Sequence, residues 1–412
     1  MNAFVKHHCF VLGFLLFSPF LSGNDYFKQY AKPIKVSVTY LQSPAVKPME
    51  LLAIDPTKGI IFARMQGGGN LQLELRGLRQ QNINKFRFEW SRNTKVYLSY
   101  LANEQYDPRI LDAIRPEVYS VMLFLDLPFE YLAIHDDCLT YVQALVAMKQ
   151  FEEAYYILER INLSKLDKFG YREFSEAALE LCGQMISANP KMAEKSLGLL
   201  AKVSIRADNS DDHASYLNLC DALRKQGLYL QAIKEYGRLG PIVAQLSSSP
   251  LSQIIKLWPV YCYLKISETY EEAAKKDKRY APHAKKMFNT AFQGLKKIDE
   301  SPPSRQSNEY SLYKLIHSLV QVYNARHEEI NGNDEKAAAY YRQSVLEVTE
   351  GIVNARIGLD WLPESLLMAG DAYENLELQE AARNVYNQVK TFFPNSKWDK
   401  LSTERLSNLP QS

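Results

Sequence analysis

Two hydrophobic periods divide the chain. Between Pro33 and Trp90, apolar and polar residues alternate in short runs: KVSVTYL (35–41), MELLAID (49–55), GIIFARM (59–65), NLQLELR (70–76) and KFRFEW (85–90). A period of two sends alternate side chains to opposite faces, the pattern of a strand with one buried face. It is clearest at Leu71, Leu73 and Leu75 and at Phe86, Phe88 and Trp90. Asp55-Pro56-Thr57-Lys58-Gly59 reads as a hairpin turn, because proline fixes one dihedral and glycine permits a left-handed one. Gly67-Gly68-Gly69-Asn70 reads as the next turn, and GLRQQNI (77–83) suits a single turn of helix. The pattern predicts a small all-β module over residues 33–90, with five short strands.

From Asp107 onward the period is helical. DPRILDAI and RPEVYSVMLFL each carry a proline suited to a first helical turn, so two helices are expected there, the first capped by Asp107. Later breaks fall at Asn189-Pro190, Gly227, LSSSP (246–250), SPPS (301–304), Asn331-Gly332-Asn333-Asp334 and Pro394-Asn395. No strand is expected after Trp90. The fold class is mainly α, with a helical array over 107–406.

One stretch, SLLMAGDAYENLELQEAARNVYNQVKTFFP (365–394), defines the array. Leu366, Ala369, Gly370 and Tyr373 fall on one helix face, Ala382 and Tyr386 on a second helix, and Pro394 ends it. This spacing resembles the tetratricopeptide (TPR) repeat, with Leu366 in place of the usual tryptophan and Ala369 in place of the usual leucine. The resemblance implies a TPR-like α-solenoid of helix hairpins. Gly370 and Ala382 would be small because the paired helices cross closely, and Tyr373 and Tyr386 would fill the gaps beside them. One such hairpin cannot bury both faces alone, so it implies neighbours. Weaker copies have Leu145, Phe151, Ala154 and Leu158; Cys220, Leu223, Gly227, Tyr229, Ala232 and Tyr236; and Gly332, Ala337 and Tyr341 in the corresponding places. The clearest repeats lie at about 135–163, 213–240, 318–346 and 363–395. Two degenerate pairs, 171–203 and 258–298, are anchored on Ala193 and Ala284. The anchoring alanines are spaced wider than the usual repeat of about 34 residues, so an irregular array is expected. WDKLSTERL (398–406) reads as a solvated capping helix. The β segment in turn resembles an SH3-like barrel, more narrowly the SLA1 homology 1 type, in which a glycine-rich turn precedes an alternating strand and a leucine-bearing turn.

Composition narrows the function. With 46% apolar residues in 412 the chain can bury a core, and a net charge of +2 gives no global pull toward nucleic acid or anionic membrane. Lys6 followed by the apolar run Phe10–Ser22 reads as a secretory signal over 1–23, since a membrane span needs about 18–20 apolar residues. A retained N-terminal anchor is the alternative; no integral span is expected after signal removal. The triple glycine is not a phosphate loop, because a strand follows it and no lysine comes until Lys85. Arg76, Arg79, Lys85, Arg87, Arg92 and Lys95 suggest a nucleic-acid surface, but solvated strand and turn positions explain them as well, and no nucleic acid is expected. Cys138, Cys182, Cys220 and Cys262 show no CxxC spacing, so no metal is expected; each reads as a small buried filler on a first helix, with a disulfide as the alternative. His135-Asp136-Asp137 and Asp211-Asp212-His213 sit at helix starts, where aspartates would cap free N–H groups. No nucleophile elbow, HExxH or Walker sequence is present, and no cofactor is implied.

The resulting expectation is a non-enzymatic, exported interaction scaffold, periplasmic and of the bacterial cell envelope. It would bind a protein or peptide in the concave groove of a TPR-like array. Repeat geometry offers Tyr141, Asn218, Tyr261, Asn324 and Asp371 as groove residues. A peptidoglycan- or polysaccharide-binding protein is the alternative, followed by a helical-repeat lyase with a glutamate in a deep cleft flanked by tyrosines.

Overall fold

A computed structural model describes residues 25–245, 251–356 and 358–410; the signal expected over 1–23 and the LSSSP break lie outside them. The protein is mainly helical, with one antiparallel five-stranded sheet near its N-terminus. It divides into two compact units at Phe174/Ser175.

The first unit opens with α1 (Tyr26–Tyr30), then β1 (Ile34–Tyr40), β2 (Ser43–Asp55), β3 (Ile60–Met65), β4 (Asn70–Glu74), a 3-10 turn (Leu75–Gly77) and β5 (Ile83–Phe88). The sheet order is β4-β3-β2-β1-β5. Val36, Val38, Leu51, Ile61, Ala63, Leu73 and Phe86 point into its buried face, as the alternation predicts, whereas Leu71 of the same alternation is exposed. The Asp55 carboxylate shapes the first turn by accepting from Thr57 N, Thr57 Oγ1 and Lys58 N at 3.1, 2.6 and 3.1 Å, while Gly59 takes φ 66°. The sheet stays open between β4 and β5, whereas the sequence resemblance implied a closed barrel. β4 is short and leads into the 3-10 turn, and Phe86 N–H on β5 donates outward to Tyr131 C=O at 2.7 Å. The helical turn expected at 77–83 begins earlier, at Leu75, and β5 ends before Trp90.

Helices complete this unit: α2 (Arg92–Ala102), α3 (Pro108–Met122), α4 (His135–Ala147), α5 (Phe151–Arg160) and α6 (Leu163–Lys168). The hydrophobic pattern of 91–106 predicts no element, yet α2 fills most of it. Ser91 caps α2 by accepting from Thr94 N, and Thr94, Leu98 and Leu101 form its buried stripe. Asp107 caps α3 as expected, accepting from Arg109 N at 2.9 Å. The second helix expected at Pro116 is not separate: α3 runs through that proline. The Pro116 carbonyl there accepts the Ser120 hydroxyl at 2.8 Å.

The second unit holds α7 (Glu173–Ala188), α8 (Ala193–Leu200), α9 (Ser210–Lys225), α10 (Tyr229–Val243), α11 (Ser252–Lys276), α12 (Ala281–Asp299), α13 (Asn308–Ile330), α14 (Asp334–Val353), α15 (Leu362–Asn375), α16 (Gln379–Phe392) and α17 (Lys397–Asn408). α7 starts just before the boundary, at Glu173. From α9 to α12 and again from α13 to α17 each helix packs on the next, and α11, α13 and α15 also neighbour one another. α12 meets α13 through stacked rings of Phe288 and Tyr323, 3.6 Å apart.

Four hairpins share one turn. Lys149, Gly227, Gly332 and Glu377 follow the first helix in left-handed conformation, with φ of 59, 75, 75 and 60°. The next N–H reaches back to close a left-handed C-terminal cap: Gln150 to Leu145 at 2.8 Å, Leu228 to Leu223 at 2.9 Å, Asn333 to Glu328 at 2.9 Å and Leu378 to Tyr373 at 3.0 Å. Those same four residues precede the second helix, and their carbonyls accept from the N–H of Ala154, Ala232, Ala337 and Ala382 at 3.0, 2.9, 3.0 and 3.0 Å. All four alanines are buried.

Candidate functional site

The repeat-packing residues sit where a close helix crossing would put them. A Cβ on Gly370 would lie 2.4 Å from the Tyr386 ring, so only glycine lets α15 and α16 approach this closely. Ala382 and Tyr386 are fully buried, Leu366 is buried, and Tyr373 packs against the Leu367, Ala382, Tyr386 and Leu409 cluster. Pro394 is exposed and follows the end of α16. Ala232 and Tyr236 repeat this arrangement on α10, and Ala154 on α5. Trp398 and Leu406 of α17 join the same cluster, although most of that helix is exposed.

The five groove residues do not share one environment. Tyr141 is fully buried, its hydroxyl donating to Glu153 at 2.7 Å, and Arg115 holds both oxygens of the same carboxylate at 2.9 Å. Tyr261 is buried, its hydroxyl set between the two Glu364 oxygens at 2.9 and 2.8 Å. Asp371 accepts from the Tyr386 hydroxyl at 2.7 Å and from Arg405 at 3.0 Å. Asn218 is exposed and Asn324 half-buried. Asp212, expected to cap α9, instead accepts from Arg206 N at 3.0 Å, and Asn209 caps that helix. At α4 neither aspartate caps: Ile134 stands at the cap position without a side-chain bond, and Asp137 accepts the Trp90 indole N–H at 2.6 Å. His135 is buried against Tyr171, its Nε2 3.1 Å from Leu125 C=O; burial pulls its pKa down. The four cysteines are buried and free.

Two polar constellations stand out in the second unit. One is internal and joins α9, α11, α13 and α15. From Glu364 it continues through Lys265, 3.6 Å away, to Glu268 at 2.5 Å, and Arg326 lies 3.5 Å from Glu268 and 3.7 Å from Glu271. The Arg224 guanidinium lies over the Trp258 ring, 3.5 Å from its centre, and Trp258 meets Trp361 edge-on. Burial disfavours the Lys265 ammonium, but Glu364 and Glu268 outweigh it and raise its pKa. Burial lifts Glu271 to about 7 against the pull of Arg326, with Glu268 and Glu272 adding to the rise. The cavity beside Glu268, Glu271 and Arg326 is about 20 Å³, room for one water and for no substrate.

The other constellation is open. A groove of about 1090 Å³ runs between the first half of α11 and the length of α12. Pro259, Val260, Tyr263, Pro282 and Ile298 give it an apolar floor. Lys256, Lys285, Lys286 and Lys297 line it, all four exposed, and none forms an ion pair among the described residues. Among the described residues no carboxylate lines it. Asp299, the next acid along α12, is engaged by the Tyr313 hydroxyl at 2.8 Å and His317 at 3.0 Å. Pro259 inside α11 removes one helix hydrogen bond, and Gly294 lets α12 approach Val260, where a Cβ would sit 2.9 Å from its methyl. The sequence reading missed this groove. Its signal was there: between Lys278 and Ile298 the chain has six lysines or arginines and no acid.

No helix among the described residues is long and apolar enough to cross a membrane. No protein-family model matches the chain, and no curated protein matches it.

Proposed function

We propose that the protein is a non-enzymatic interaction platform built from TPR-like helix hairpins, carrying an SH3-like β module at its N-terminal side. The observation that carries this reading is the repeated hairpin: four copies with the same left-handed cap, the same alanine two helical turns from the first helix's end, and an aromatic or leucine one turn beyond it. Such hairpins present ridges and grooves suited to peptides and partner domains. The β module reading is supported by the meander order of its strands and the 3-10 turn before β5. Export, and hence placement in a bacterial envelope, belongs to the same reading through the apolar N-terminal run.

The internal constellation bears on the enzymatic alternative. Glu364 with Tyr261 is the glutamate–tyrosine pairing that a lyase would use, yet both side chains are buried and hydrogen-bonded to each other. A groups-in-contact network of this kind fixes the helices rather than meeting a substrate.

The test uses the full chain three ways: affinity capture from envelope extract, co-sedimentation with insoluble peptidoglycan, and release of soluble fragments from that peptidoglycan. The platform reading expects a specific protein in the first and nothing in the other two. Sedimentation without protein capture would favour the polysaccharide-binding alternative, and fragment release would favour a lyase.

A further inference from the structure

We propose that the α11–α12 groove seats an acidic amphipathic segment of a partner protein. This deepens the platform reading and rests on it.

Four observations define the occupant. Lys256, Lys285, Lys286 and Lys297 surround the groove without a carboxylate in its lining. All four side chains are exposed and, among the described residues, stand in no ion pair, so opposite charge can reach them without first breaking an internal one. The floor is apolar, through Pro259, Val260, Tyr263 and Ile298. A floor of that kind is used only by a ligand with its own apolar face, which excludes a simple anion. Finally, α12 lines the groove from Pro282 to Ile298, about 24 Å at 1.5 Å per residue. That length suits several turns of a bound helix or a shorter extended peptide, and exceeds a single small metabolite.

The same observations disfavour a glycan chain. Sugar faces stack on rings, and among the described residues Tyr263 is the one aromatic side chain in the lining. The bound segment would lay apolar residues at helical spacing on Val260 and Ile298 and turn glutamates or aspartates outward to the lysines. Apolar contact would hold it, and the lysines would set its orientation and its preference for acid.

The experiment is fluorescence anisotropy on the full-length protein. The probe is a labelled amphipathic peptide of about 18 residues with leucines on one face and glutamates on the other. A second peptide replaces every glutamate by glutamine, and vesicles of phosphatidylglycerol serve as the lipid comparison. Two variants are used: Lys256→Glu/Lys285→Glu/Lys286→Glu/Lys297→Glu, and Gln293→Trp, which fills the groove with unchanged charge. Circular dichroism melts verify that both remain folded, as exposed substitutions should allow. The expected result is binding of the glutamate peptide, about tenfold weaker binding of the glutamine peptide, and a loss of about tenfold or more in each variant. Equal binding of both peptides, unchanged binding by the four-lysine reversal, or binding of vesicles but not peptide would overturn the proposal. If the reversal variant still captures the wild-type partner from extract, the groove assignment fails while the platform reading stands.

Discussion

Gly370 and Tyr386 form a pair that neither residue explains alone. The ring fills the space that a Cβ at position 370 would enter, and its hydroxyl donates to Asp371 at 2.7 Å and Glu374 at 2.8 Å. Gly370→Ala should therefore destabilise the second unit by about 1–3 kcal/mol through overpacking. Combining it with Tyr386→Leu should give less than the sum of the two single losses, because the smaller side chain removes the clash. Urea denaturation of the four proteins measures this; strict additivity would mean that the helices do not cross as closely as described. Glu271 gives a second expectation. Its carboxyl ordinarily titrates near 4.5 and is pushed up to about 7 by burial. Between those values the folded state holds a proton that the unfolded state lacks, so stability falls as pH rises through this window. The stabilisation is fully present below about 4.5 and gone above about 7, an effect on the order of 3 kcal/mol. Glu271→Gln should flatten the profile of melting temperature against pH between those limits. A variant that keeps the same slope would place the titration elsewhere.

The hairpin turns divide by residue type, and the difference is measurable. Gly227 and Gly332 hold the left-handed position without strain, whereas Lys149 and Glu377 hold it with a Cβ. Gly227→Ala should lose about 1 kcal/mol and Glu377→Gly should gain up to about 1 kcal/mol, read as shifts in urea midpoint. A neutral Gly227→Ala would mean that the left-handed turn is not needed. These positions also show why only part of the fold was legible. Gly227, Gly332 and the alanine–tyrosine spacing mark the hairpins in the sequence because glycine and small residues have few other reasons to recur there. Lys149 and Glu377 leave no such mark, since the cap tolerates them only through its hydrogen bonds. α2 was missed because Ser91 is its sole strong start signal and it follows directly on a strand. Pro116 was read as a helix start, although proline also occurs inside a helix when tertiary packing holds both sides. The groove residues were placed by analogy with regular repeats, and burial of Tyr141 and Tyr261 reflects side chains tied to Glu153 and Glu364 by contacts no local pattern encodes. The lysines of α12 were visible as a charge run; that they flank an apolar floor required the placement of Pro259 and Val260 on the facing helix.

Across the whole molecule, charge is nearly balanced at +2, so the four groove lysines are a local feature and not part of a general basic surface. Attraction at such a site is screened over about 8–10 Å at moderate salt. Partner binding should accordingly weaken as salt rises from about 0.05 to 0.3 M, while stability measured by thermal melts changes little. Salt-independent binding would move the contact away from the lysines. The proposed function requires that the protein hold a partner on its helical surface. The most direct test is a photo-crosslinking amino acid placed at Asn289, exposed in the groove, with one at Leu346, exposed on α14, as the comparison. In the cells that make the protein, the account predicts one discrete protein adduct from position 289, carrying an acidic segment, and none from 346. No adduct at 289, or the same adducts from both positions, would contradict it.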